Sequence, residues 1–348
     1  MAGPRRVSNP PNPWASTHVE WLGEPPAVEV AVYEERARSI LSRNESPDVP
    51  FRWSVNPYRG CQHACAYCYA RPTHQYLGFG AGTDFDTRLV AKVNAPELLR
   101  RALARRSWRG ETVTFSGVTD CYQPIEASYG LTRRCLEVCA ELANPVAIVT
   151  KGALVRRDVE LLAEIGRRAS VEVHVSIPFA DDADGSAMGR RIEPLASAPA
   201  VRFETLSRLA EAGIPTGVAL APLIPGLNDA QIPAILRRAR ECGAERAFAI
   251  LLRLPAEVRE VFAERLREAF PLRASKVLSA LRGMRGGRLS DTAFGRRMAG
   301  RGPRWDAVQG LFELYRRRLG FRPVEEAPPG PRPDAGRTTG RQGTLFPG

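Results

Sequence analysis

Lysine is almost missing from this chain. Lys92, Lys151 and Lys276 are the only three, and the other forty-seven of its fifty basic residues are arginines. No apolar run approaches the ~18 residues of a membrane span, and the best stretch, 218–224, is interrupted by Pro222. The first twelve residues are Pro-rich and carry no apolar signal core, so a cytoplasmic protein is expected. Seven cysteines, an odd number, argue against a disulfide framework. No internal repeat stands out. What remains is ample for folding: 44% hydrophobic and 25% charged residues in 348 exclude wholesale disorder and allow about two domains, or one large α/β domain with extensions. The net charge of +12 suggests an anionic partner, nucleic acid first. A basic surface without a partner is the plainer alternative.

From residue 51 onward, short apolar runs alternate with amphipathic stretches. Strands are predicted at 53–56, 112–116, 146–150, 171–177, 216–221 and 247–252. Helices are predicted at 96–106, 131–142, 157–167, 201–212 and 229–242. This βα alternation reads as a parallel barrel or open barrel, with a doubly wound sheet as the alternative. Residues 1–45 read as an irregular N-terminal extension with one short helix near 34–43. Residues 46–252 form the core and 253–322 a helical C-terminal extension, with helices at 256–270, 276–282 and 305–319. In 323–348, 11 of 26 residues are Pro or Gly, the composition of a disordered tail.

The strongest chemical signal is Cys61, Cys65 and Cys68, spaced C-x3-C-x2-C within one tight segment. Zinc usually takes four protein ligands, and His63 and His74 are the nearby candidates for a fourth, neither at the usual spacing. An iron–sulfur cube held by three cysteines instead leaves one iron open to a further ligand. Cys135, Cys139 and Cys242 read as small core residues.

The triplet resembles the loop of the radical S-adenosylmethionine (SAM) superfamily, with Tyr67 as the aromatic before the last cysteine. The resemblance runs over about 46–320 through NPYRGCQHACAYCYARPTH, TDCYQPIE, IVTKGALV and APLIPGLND, and is similar to a subgroup labelled DNA repair photolyase or spore photoproduct lyase-like. It implies an α/β partial (β/α)6 TIM-type barrel and a [4Fe-4S] cluster with SAM as cofactors. It also implies an external electron donor of the reduced flavodoxin or ferredoxin type. The implied activity is cleavage of SAM to a 5′-deoxyadenosyl radical that abstracts hydrogen, with the protein orienting the cofactors and excluding solvent.

Further positions follow from the resemblance. Ser116 and Gly117 occupy the place of a Gly-containing SAM amino-group motif, with Thr119 and Asp120 as polar contacts beside them. Ser176, at a strand end, is implied in a ribose or carboxylate contact; Lys151, closing another strand, reads as an active-site or anion contact from its rarity among three lysines rather than from the resemblance. Arg190, in an Arg-x-x-Glu-Pro element, would hold a carboxylate, and Ile224 would pack on adenine. Cys121 stands in the region where spore photoproduct lyase uses a cysteine to return hydrogen to the product radical. His174 reads as a half-buried strand residue.

The substrate stays open at this level. The basic balance and the seven arginines from Arg282 to Arg304 favour nucleic-acid repair or modification. Radical maturation of a protein, or small-molecule chemistry, is the alternative, and a non-enzymatic iron–sulfur protein is the third reading. Near the C-terminus, Gln342, Leu345 and Phe346 spell Q-x-x-L-F, which looks like a peptide that docks on the DNA sliding clamp.

Overall fold

Short runs rich in Val, Ile and Ala become the strands of a central sheet in the computed structural model, which describes residues 29–322. Ten strands occur there: β1 (Ala31–Glu35), β2 (Leu41–Arg43), β3 (Trp53–Val55), β4 (Tyr58–Arg59), β5 (Arg88–Lys92), β6 (Val113–Phe115), β7 (Val146–Thr150), β8 (Val171–Ser176), β9 (Thr216–Leu223) and β10 (Arg246–Leu251). The large sheet has the order β10-β9-β8-β7-β6-β3-β2. Neighbours from β3 to β10 pair in parallel, and β2 closes the edge antiparallel to β3. Strand follows strand in one direction with no reversal of order, which removes the doubly wound alternative. Among the described residues β10 and β3 do not pair, so the barrel is open.

Parallel sheets need cover on both faces. Here Phe115, Ile148, Val173, Val218 and Leu220 have no exposed surface. Helices Ala95–Leu103, Leu131–Glu141, Val159–Arg168, Pro199–Glu211 and Ile232–Glu241 follow successive strands. They correspond to the five predicted helices, with ends shifted by a few residues. The predicted C-terminal helices appear as Val258–Ala269, Pro271–Met284 and Pro303–Arg318.

One prediction fails outright. Residues 34–43 form no helix; they carry the end of β1 and all of β2. The strand β1 pairs in parallel with β5, and β4 pairs antiparallel with β5, making a small second sheet. Backbone pairing across more than fifty residues of sequence overrides the local helical periodicity there. Residues 1–28 and 323–348, including Gln342, Leu345 and Phe346, lie outside the described residues. No helix among the described residues is long and apolar enough to cross a membrane.

Candidate functional site

The carboxyl ends of the parallel strands lead into the residues singled out above. Asn56 follows β3, Ser116 follows β6, Lys151 follows β7, Ser176 closes β8 and Ile224 follows β9. The cysteine loop leaves β4 over this end of the sheet. Cys61 and Cys65 are buried and Cys68 is half-buried.

The loop is built from behind by two buried guanidinium groups. Arg71, with no exposed surface, donates to the Cys65 carbonyl at 2.8 Å and to the Ala81 and Gly82 carbonyls, and pairs with Asp86 at 2.8 Å. Arg265 donates to the Ala64 carbonyl at 2.5 Å and to the other Asp86 oxygen at 2.6 Å. The loop backbone is therefore tied both to the start of the chain's small sheet and to the helix Val258–Ala269. Further ties come from the Cys61 amide to the Phe85 carbonyl at 2.9 Å, and from Gln123, which bridges the Gly60 carbonyl and the Gln62 amide.

Asp120 forms a second anchor. One carboxylate oxygen accepts from the Thr150 hydroxyl at 2.6 Å and the Tyr122 amide at 2.9 Å; the other accepts from the Lys151 amide at 2.7 Å and lies 3.4 Å from His63 Nδ1. Burial works to raise its pKa, but the neighbouring His63, the Lys151 amide and the Thr150 hydroxyl outweigh it and hold the carboxyl well below its ordinary range. Asp120 thus locks the turn after β6 to the end of β7. Thr119 is similarly engaged, donating to the Tyr58 carbonyl at 3.2 Å.

Ser116 adopts φ 79°, a left-handed conformation uncommon for a residue with a side chain, and its hydroxyl accepts from the Cys121 amide at 2.9 Å. Gly117 lies against Ser54 so closely that a Cβ there would come within 3.1 Å of the Ser54 hydroxyl. Its carbonyl accepts from the exposed Tyr69 hydroxyl at 2.7 Å.

Facing the cysteines is a cationic cluster. The Lys151 ammonium donates to the Ser176 hydroxyl at 2.9 Å and sits 5.6 Å from the centre of the Tyr67 ring. The Ser176 hydroxyl donates in turn to the Ala221 carbonyl at 3.1 Å. The Tyr67 hydroxyl bonds to Glu193, whose second oxygen pairs with Arg202 at 2.5 Å. Arg202 is anchored in turn on the Ser176 and Ser197 carbonyls. Glu193 and Arg202 are buried, and despite burial Arg202 and Lys151 keep Glu193 ionised.

Three predicted positions take other surroundings. Arg190 is exposed on the helix Ala183–Ile192, and within that Arg-x-x-Glu-Pro element it is Glu193 that turns inward. Ile224 has no exposed surface, and its amide donates to the Asn228 side chain at 2.7 Å. Cys121 is likewise fully buried, in the turn after β6, where its amide donates to the Ser116 hydroxyl and its carbonyl accepts from the Thr132 hydroxyl. Cys135, Cys139 and Cys242 are core residues as predicted, and His174 is buried rather than half-buried, at 7% exposed.

The three thiols suit an iron–sulfur cluster in the chemistry of their surroundings. Burial pushes Cys65 up to about 12, with Glu193 adding to the rise and Lys151 opposing it. Burial also raises Cys68, against Arg71 and Lys151. Cys61 is raised by burial, by Asp120 and by the other two thiolates. Three mutually coupled sulfurs with cations beside them are stabilised once metal replaces their protons. Among the described residues no three His, Cys, Asp or Glu side chains gather as a single-ion site would need. An iron–sulfur cluster, which would take one thiolate on each of three irons, would need no such convergence. His74, weighed as a fourth zinc ligand, bonds through Nε2 to the Arg88 carbonyl at 2.7 Å and packs edge-on against Phe85.

Comparison with known proteins converges on the same region. The model of the Radical SAM superfamily matches residues 55–239. An uncharacterized protein of Mycobacterium tuberculosis (strain H37Rv) is 37% identical over 245 residues, covering 70% of this chain and 71% of that one. A radical SAM Nalpha-GlyT isomerase of Pseudomonas phage M6 is 26% identical over 175 residues, covering 50% of this chain and 33% of the isomerase. Among solved structures, spore photoproduct lyase complexed with dinucleoside spore photoproduct superimposes with a TM-score of 0.61 at 15% identity, covering 86% of this chain and 85% of that one.

Proposed function

This chain belongs to the radical SAM superfamily, and from that premise we propose that it is an enzyme holding a [4Fe-4S] cluster on Cys61, Cys65 and Cys68. The observation that carries the reading is the meeting of the clamped cysteine loop, through its Tyr67 ring, with Lys151 and Ser176 across from it. When bound, the cluster supplies the electron that splits SAM and so yields a 5′-deoxyadenosyl radical able to take hydrogen from a substrate. The chain's own residues bind and orient. Lys151 donates one N–H to Ser176 and has two more donors for an anionic group such as the SAM carboxylate. Tyr67 is fixed by Glu193 and Arg202, so its ring forms a rigid wall under that ammonium. Ser116 and Gly117 shape the backbone opposite, where a strained serine conformation marks a position held for function. An external one-electron donor of the flavodoxin or ferredoxin type is required.

For the substrate we favour nucleic acid. Its support is the net charge of +12, and the similar fold of spore photoproduct lyase, solved with a dinucleoside spore photoproduct, agrees with it. The deciding experiment is anaerobic reconstitution followed by incubation with SAM, a reductant, and ultraviolet-irradiated or undamaged DNA. The full chain should form 5′-deoxyadenosine, and Cys65→Ala should lose both the cluster absorbance and that product. A Cys65→Ala protein that still cleaves SAM, or zinc as the native metal, would refute the proposal.

A further inference from the structure

Residues 271–304 carry nine basic side chains and one acid, Asp291. Not all are surface charge. Arg285 is 2% exposed, and its guanidinium takes the carbonyls of Leu251, Leu252 and Ala299. It thereby hangs the 285–302 loop from the carboxyl end of β10, on the same end of the sheet as the cysteine loop. Arg297 ties the loop to Asp48 at 2.5 Å.

The others face outward. Arg273, Lys276, Arg282 and Arg288 are exposed and meet no carboxylate among the described residues. Lys276 and Ser279, together with Arg301, Gly302 and Arg304, line a cavity of about 380 Å³. Arg301 and Arg304 stand 3.7 Å from Asp291 and 3.9 Å from Asp229, loose enough to leave their forks open to another anion. On the loop itself Phe294 is 61% exposed, with the Arg297 guanidinium 4.7 Å from its ring centre. Arg253 links this surface to the cysteine loop, reaching Met298 on one side and lying 5.7 Å from the Tyr69 ring on the other. Tyr69 is the residue after Cys68.

We infer that this rim binds a nucleic-acid strand, with a backbone phosphate in the Lys276–Arg301–Arg304 cavity and a base stacked on Phe294. The strand then leads past Arg253 and Tyr69 to the cysteine site. A cavity walled by three cations and a hydroxyl suits a phosphate, and guanidinium forks match its oxygens in pairs. An exposed aromatic ring backed by arginine is a stacking platform for bases of any sequence. An acidic peptide would satisfy the cations but leave Phe294 without a partner. The inference rests on the radical SAM reading and names the substrate class of that site.

The test measures binding of a short fluorescein-labelled single-stranded DNA to the reconstituted full chain across a salt series. The rim variant carries Lys276→Ala, Arg301→Ala and Arg304→Ala. A control loses the same charge at the amino end of the strands through Arg105→Ala, Arg106→Ala and Arg109→Ala, all exposed. The rim variant should bind about tenfold or more weakly near ~0.1 M salt, with a salt slope shallower by about 0.7 to 2, while the control binds like the unaltered chain. Phe294→Ala should weaken binding about fivefold or more and leave the slope unchanged. Formation of 5′-deoxyadenosine without DNA should be the same in the rim variant, which also shows that it is folded. Equal losses in rim and control, or no loss in the rim variant, would overturn the inference. So would a rim that binds polyglutamate in place of DNA. An unaltered chain that cleaves SAM but does not bind DNA would overturn it and leave the radical SAM reading intact. Rim-dependent DNA binding without SAM cleavage would do the reverse.

Discussion

Arg71 and Arg202 are fully or almost fully buried cations, and each is satisfied by carbonyls plus one carboxylate. Removing the carboxylate strands the charge. Glu193→Ala should therefore cost about 3–5 kcal/mol of stability, measured by urea denaturation of the apoprotein, because Arg202 stays buried without its partner. Arg71→Lys keeps the charge but loses the planar fork that reaches Cys65, Ala81, Gly82 and Asp86 together. We expect iron and sulfide content after reconstitution to fall severalfold in that variant, whereas Arg71→Lys with full cluster content would show the clamp to be dispensable. Lys151 and Ser176 could be found from sequence because they stand at strand ends, and Lys151 also because lysine is so rare here, while Asp120 lies in the polar turn that follows β6. Arg71, Arg202 and Arg265 could not: among forty-seven arginines the residue type carries no signal, and the partners lie up to 201 residues away. Glu193 is a related case: the sequence ties it to Arg190, but the fold ties it to Tyr67, 126 residues away, and to Arg202.

At the level of elements, the six parallel strands were legible because each is a short apolar run bounded by turn residues, and burial on both faces makes that pattern plain. The helix Ala183–Ile192 was not predicted. Two glycines in ten residues hide it, although Asp182 caps it by accepting from the Gly185 amide at 2.7 Å. Gly185 is there for space, since a Cβ would lie 2.3 Å from the Ala180 carbonyl oxygen. A similar close approach joins β7 to the Asp120 turn, where a Cβ on Gly152 would sit 2.2 Å from the Tyr122 carbonyl oxygen. Gly152→Ala should cost about 1–3 kcal/mol by denaturation midpoint. Gly310, inside the helix Pro303–Arg318, meets nothing within 4 Å, so Gly310→Ala should stabilise by about 0.5–1 kcal/mol. Equal effects at the two glycines would contradict this account of the packing.

Across the whole molecule, acid stability is set in part by His174, buried in β8 against Phe248, with Glu172 at 3.4 Å and Arg246 nearby. Burial, aided by Arg246, lowers its pKa from the ordinary 6.5 to about 4. Between those values the unfolded chain takes up a proton that the folded chain refuses. Stability should therefore fall as pH drops from 6.5 towards 4, by up to about 3 kcal/mol, and His174→Phe should flatten that decline. A parallel decline in both proteins would assign the acid sensitivity elsewhere. The clamp on the cysteine loop has a consequence in time as well as in space. Arg265 follows Ala64 by 201 residues, so a ribosome has already released every strand of the large sheet when this last guanidinium emerges. Until then the loop lacks one of the two arginines that share Asp86, and metal delivered to a nascent chain would meet a half-built cradle. Maturation of the centre accordingly belongs after Arg265 has emerged, and a chain halted at residue 252 should retain far less iron than the full chain.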